Sequence, residues 1–159
     1  MKTITYLRFL AQAVGMMLLI SCSSQSDFLT LDGKEHKLND YLGKWVIINF
    51  WAEWCAPCLE EIPELNSLHQ QREKHNLVII GVSYDPLEIK ELHSIVKKWD
   101  IQYPIMSTKP SPILPFGLPK TLPGNYIINP EGEVVAKLSG TQTKEKLIGY
   151  IAELQKGEG

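Results

Sequence analysis

The chain has 159 residues, enough for one domain with a full core and too few for two comfortable ones. Its apolar content of 44% and charged content of 21% suit an ordinary globular fold, and a formal charge of −2 offers nothing to a polyanion, so no nucleic-acid partner is expected. Three cysteines are too few for a disulfide scaffold, so the core must hold itself together without one.

Residues 1–21 read as an export signal. Lys2 and Arg8 precede an apolar run from Phe9 to Ile20, well short of the roughly 20 residues that a membrane-spanning helix needs. The run ends in Leu19-Ile20-Ser21-Cys22, which resembles the bacterial lipoprotein box, where cleavage precedes a cysteine that is then lipidated. A plain cleaved signal, with Cys22 incidental, is the alternative. Lipidation accounts for the odd cysteine and supplies enough acyl chain for stable anchoring. Residues 22–27 then form a lipidated tether, and loss of Lys2 and Arg8 takes the net charge from −2 to −4. The expected location is extracytoplasmic (a periplasm, where the source has one), where disulfides persist. Ser23 after Cys22, in place of an aspartate, favours the outer membrane if the source has one.

A domain is expected over residues 28–155. Phe28 to Leu31 and Lys34 to Leu38 flank Asp32-Gly33, a pair that favours a two-residue hairpin turn. Asn39 to Gly43 has the form of one helical turn closed by glycine. Lys44 to Trp51 is almost continuously apolar, β-branched or aromatic, as a strand buried on both faces should be. After the cysteines, Leu59, Ile62, Leu65 and Leu68 fall at helical spacing, with acids early and Arg72, Lys74 and His75 late, and Pro63 is expected to kink the helix.

Asn76 to Asp85 is a second buried strand, and Pro86 suits the first position of a helix carrying Ile89, Leu92, Ile95, Val96 and Trp99. Ile101 to Met106 reads as a short strand. Six of the ten prolines lie between Pro104 and Pro123, which predicts a loop or broken helix there. Asn125 to Asn129 and Glu133 to Leu138 form a hairpin, and Lys144 to Leu154 a closing amphipathic helix. The alternation predicts an α/β fold with a central mixed sheet and helices on both faces.

Cys55 and Cys58 fall where a buried strand gives way to a helix. First-turn N–H groups and the helix dipole there favour a thiolate at Cys55, and the i, i+3 spacing puts Cys58 on the same face to resolve any mixed disulfide. Zinc at a structural site wants four ligands, of which this pair supplies half; His36, His69, His75 and His93 do not pair at ligand spacing except for a loose His69/His75 on the far part of the helix, which reads as surface. A permanent staple would close too short a loop to stabilise much. No metal and no cofactor is expected.

Trp54-Cys55-Ala56-Pro57-Cys58 after a VIINFWA strand resembles the thioredoxin superfamily, and specifically its TlpA/ResA branch of membrane-tethered thiol–disulfide oxidoreductases. The resemblance covers roughly Phe28 to Leu154 and implies a thioredoxin-like fold with an N-terminal β-hairpin and an inserted strand–helix unit within Asn76 to Met106. Thr121-Leu122-Pro123 stands where the family carries its cis-proline loop, so Pro123 is expected cis and Leu122 is expected to offer its backbone to an extended substrate. The buried aspartate of ordinary thioredoxin is replaced by Asn49, which cannot titrate. Glu61 matches an acid that the ResA branch uses near its cysteines, implying that it takes the proton from Cys58; a solvated first-turn carboxylate is the alternative. Trp54 and Pro57 are expected to form an apolar platform for a protein partner, Trp45 and Phe50 to lie in the core, and Glu53 to play a surface role. The Pro123-Gly124-Asn125 sequence lacks the threonine pair common after that proline.

The resemblance implies a reductase for cysteine-bearing protein clients, among them apocytochrome c, recharged by a membrane-embedded electron donor. Two other functions are weighed: a copper metallochaperone on the same fold, whose cysteines are usually three residues apart, and a peroxiredoxin-type peroxidase, which needs a threonine where Ala52 stands.

Overall fold

The computed structural model describes residues 26–157. The signal, Cys22 and the first part of the tether lie outside the described residues, among which no helix is long and apolar enough to cross a membrane.

The fold is organised around β3 (Trp45–Trp51), whose seven residues are all buried. It pairs in parallel with β4 (Leu77–Ser83) and antiparallel with β5 (Gly124–Ile128), and β5 pairs antiparallel with β6 (Val134–Ser139). The mixed sheet has the order β4-β3-β5-β6. Because side chains alternate along a strand, Ile47 and Trp51 enter one core while Val46, Ile48 and Phe50 enter the other. The α/β architecture and the mixed sheet are as expected.

One face is covered by α1 (Ala56–Gln70), α2 (Ile89–Lys98) and α3 (Lys144–Gly157), which contribute Ile62, Leu65, Leu92, Leu147 and Ile151 to a single cluster. The expectation of helices on both faces is not met: the opposite face carries no α-helix among the described residues and is closed by a 3-10 turn over Leu38–Tyr41 and by the proline-rich segment, through Leu38, Tyr41, Leu114 and Phe116. Prolines at 110, 112, 115 and 119 remove the N–H donors that an α-helix there would need. The ring of Phe116 still meets Tyr126 edge-on at 5.5 Å.

Several boundaries differ from expectation. The N-terminal hairpin, β1 (Phe28–Leu29) with β2 (Glu35–His36), turns through three residues: Gly33 N–H returns to Thr30 C=O at 2.8 Å, and Gly33 takes φ +80°, a left-handed conformation that glycine adopts without strain. Helix α1 runs through the exposed Pro63 and ends at Gln70, so Arg72, Lys74 and His75 fall in the following turns. Pro86 does not start α2. It lies in a turn in which Ser83 Oγ donates to Asp85 C=O at 3.1 Å, and α2 begins at Ile89. The strand expected over Ile101 to Met106 is reduced to two bridges, Gly81 with Ile105 and Thr30 with Met106.

Candidate active site

Cys55 is the N-cap of α1, at the end of the strand-to-helix passage that follows β3. It is joined to Cys58 by a disulfide. Both cysteines are buried, Cys58 at 1% exposure more completely than Cys55 at 5%, and Cys55 lines a cavity. The expectation of several first-turn N–H groups aimed at Cys55 is corrected. Pro57 has no N–H, and the N–H groups of Cys58 and Leu59 donate to the Cys55 carbonyl at 3.0 and 3.2 Å. What is left to favour a thiolate at Cys55 in the reduced protein is the dipole of α1, whose N-cap it occupies.

Four of the expected site residues, Trp54, Cys55, Pro57 and Leu122, line one cavity of about 380 Å³, together with Tyr84 and Thr121. The Leu122–Pro123 peptide is cis, and Gly140 N–H donates to Pro123 C=O at 2.9 Å, which ties the loop to the residue after β6. The N–H and C=O of Leu122 have no backbone partner among the described residues. They lie on the cavity that holds Cys55 and can pair with an extended chain. Trp54 is 67% exposed, and its indole N–H donates to Asp85 at 2.8 Å, which fixes the ring on the cavity that Cys55 lines.

Glu61, one helical turn beyond Cys58, is 0% exposed, which overturns the solvated alternative. Its carboxylate accepts three hydrogen bonds: Asn49 Nδ2 at 2.9 Å, Asn125 Nδ2 at 2.8 Å and Gln142 N–H at 2.7 Å. Asn49 and Asn125 face each other across the β3–β5 ladder, and Asn49 Nδ2 also donates to Asn125 Oδ1 at 2.9 Å. The buried Tyr103 hydroxyl donates to Asn49 Oδ1 at 3.1 Å, which sets the orientation of that amide. Burial raises the Glu61 pKa from 4.5 to about 7, and the three donors, which stabilise the anion, keep it from rising further. A carboxyl group that changes charge near neutrality thus sits on the helix that carries the dithiol.

Other expected residues fall elsewhere. Glu53 accepts from Lys98 at 2.8 Å and from Trp99 Nε1 at 3.3 Å, so it ties the passage after β3 to the end of α2. His69 and His75 are half-buried rather than on the surface. Among the described residues, no group of three or more His, Cys, Asp or Glu is placed to hold a metal ion. The sequence reading missed Asn125 and Gln142 as partners of the carboxylate. No local motif marks them, since the ladder and the loop before α3 bring them together across 64 and 81 residues.

Comparison with known proteins fits this geometry. The AhpC/TSA family matches residues 22–137, and the chain belongs to it. A thiol–disulfide oxidoreductase ResA of Bacillus cereus is 36% identical over 124 residues, which cover 78% of this chain and 71% of the relative. The chain is a ResA/TlpA-like thiol–disulfide oxidoreductase of the thioredoxin superfamily. Among solved structures, MTB dsbF has a TM-score of 0.67 at 24% identity, covering 82% of this chain and 95% of that one. The pneumococcal exposed lipoprotein thioredoxin Etrx1 of Streptococcus pneumoniae strain TIGR4 has a TM-score of 0.66 at 23% identity, covering 79% and 96%. These two likenesses concern the fold. The names of the relatives lend no support to an outer-membrane location.

Proposed function

We propose that this oxidoreductase is an extracytoplasmic reductase of protein disulfides, anchored by a lipid on Cys22 and recharged by a dithiol donor embedded in the membrane. The observation that carries the mechanism is the asymmetry of the pair, with Cys55 on a cavity shared with Leu122 and Cys58 enclosed near a carboxyl group that titrates at about 7. In the reduced protein the Cys55 thiolate attacks one sulfur of a client disulfide. A Cys55–client bond forms, the client S–S bond breaks, and the other client sulfur leaves as a thiolate and takes a proton. Glu61 then accepts the proton of Cys58, whose sulfur attacks Cys55 Sγ; the mixed disulfide breaks and the second client sulfur departs as a thiol. Two electrons pass from the protein dithiol to the client, and the Cys55–Cys58 disulfide is the product left behind.

The export signal and lipoprotein box support the location, and the name of the pneumococcal neighbour carries the same feature for that protein. Clients with paired cysteines, apocytochrome c among them, are the substrate class. The peroxidase alternative lacks support at Ala52, and the paired sulfurs favour exchange between thiols. The test is the potential of the pair, measured against a glutathione buffer on the full chain. A reductase should sit nearer the roughly −270 mV of thioredoxin than the roughly −120 mV of DsbA. A value near the latter reverses the direction proposed.

A further inference from the structure

The cavity that contains Cys55 does not end at the redox pair. Tyr84 lines it and also lines a second cavity of about 370 Å³, whose other walls include Ser83, Asp85, Pro112, Leu114 and Leu118. The proline-rich segment forms one wall of both, with residues 119–122 beside Cys55 and residues 108–118 beyond Tyr84. Two side chains along this path are large, apolar and open to solvent: Leu118 is 58% exposed and Tyr84 is 41% exposed. Exposed apolar surface that runs on from a reactive centre marks a place where a partner lies.

The wall also limits what kind of contact is made. Pro112 and Pro119 offer no N–H, so an extended chain cannot pair continuously along that wall as it would along a sheet edge. Beside Cys55, Leu122 has backbone groups with no backbone partner among the described residues. Past Tyr84 the prolines interrupt any such ladder, and side chains supply much of the contact. Asp85, fixed by the indole of Trp54, places a carboxylate beside the junction and disfavours an acidic neighbour there.

We propose that the second cavity is a specificity subsite for a large apolar side chain, phenylalanine or leucine, close in sequence to the client cysteine that Cys55 attacks. The occupant is an unfolded client segment, because a folded protein seldom presents a cysteine and a neighbouring large apolar residue together on one extended stretch. This inference rests on the redox reading above and names the clients of the same site.

The test uses reduced full-length protein and peptides with one cysteine held as a mixed disulfide with a chromogenic arylthiol. Attack by Cys55 on the peptide sulfur forms the protein–peptide disulfide and releases the coloured arylthiolate. Phenylalanine or serine is placed in turn at each position flanking the cysteine. The expected result is a second-order rate constant for arylthiolate release about tenfold higher for phenylalanine at one or two positions, the worth of partly burying one large side chain. That ratio should fall to near one in Leu118→Ser and persist in Leu42→Ser, which alters an exposed leucine outside both cavities. Equal rates at every position, or a preference that survives in Leu118→Ser, overturns the proposal. So does a concentration-dependent dimer abolished by Leu118→Ser, which would make a second copy of the chain the occupant. Failure to exchange with any peptide or with oxidised glutathione refutes the redox reading itself, a result distinct from loss of preference.

Discussion

Replacing Glu61 by glutamine removes a buried charge without changing the size of the side chain. Glu61 titrates at about 7 in the folded protein against 4.5 for an unburied glutamate. Between those values the unfolded chain has released the proton and the folded chain still holds it, so stability falls as pH rises through this window. At 1.36 kcal/mol per pH unit, ionised Glu61 costs the folded protein about 3 kcal/mol above pH 7 and nothing below pH 4.5. Urea denaturation of the oxidised protein and of Glu61→Gln should therefore show a stability difference that shifts by about 3 kcal/mol in favour of the variant between pH 4.5 and pH 8. Glutamine also cannot accept the Cys58 proton. Resolution of a preformed Cys55 mixed disulfide should slow by about 100-fold at pH 8, the lower range for loss of a general base, and its inflection near pH 7 should vanish. A stability difference that is flat with pH, together with an unchanged resolution rate, would refute both the buried titration and the proton-accepting role.

Two further outcomes follow from particular contacts and a third from the lipoprotein box. Asn125→Leu takes one of three donors from the Glu61 carboxylate, so the pH dependence of resolution should move to higher pH and stability should fall by about 1–3 kcal/mol, read from stopped-flow kinetics and urea titration. Gly81→Ala should cost about 1–3 kcal/mol in urea unfolding, because the added carbon would overlap Ile105 Cδ1 and come within 3.0 Å of the Tyr103 ring and 3.2 Å of Trp51 Nε1 in a fully packed core. Cys22→Ser should move the protein from the membrane to the soluble fraction and abolish labelling by a clickable fatty acid; retention of both would remove lipidation from the account.

Much of the fold was legible because its strongest signals are local. The apolar run of β3 admits only a doubly buried strand, and the Cys55 passage into a helix is marked by the change from continuous to helical periodicity. The start of α2 was misplaced because Pro86 is permitted both at a helix start and in a turn, and the bond from Ser83 to the Asp85 carbonyl selects the turn. The two-residue hairpin was misread for a similar reason: Asp32-Gly33 fits a two-residue turn equally well, and only the pairing of Thr30 with Lys34 makes Gly33 the third loop residue. At the site, Cys55, Cys58 and Leu122 were found through short motifs. The setting of Glu61 was not, since Asn49, Asn125 and Gln142 converge only once the ladder and α3 are in place. Sequence spacing says that an acid lies one turn past Cys58, but only packing says that no water reaches it.

The most direct test is to trap the half-reaction. Reduced Cys58→Ala, mixed with a peptide disulfide and analysed by intact mass and peptide mapping, should accumulate one stoichiometric adduct, with the peptide on Cys55. The reciprocal Cys55→Ala protein, whose only remaining sulfur of the pair is the enclosed Cys58, should form almost none. An adduct that forms as readily on Cys58, or no adduct on Cys55, contradicts the claim that the outer sulfur attacks and the inner one releases.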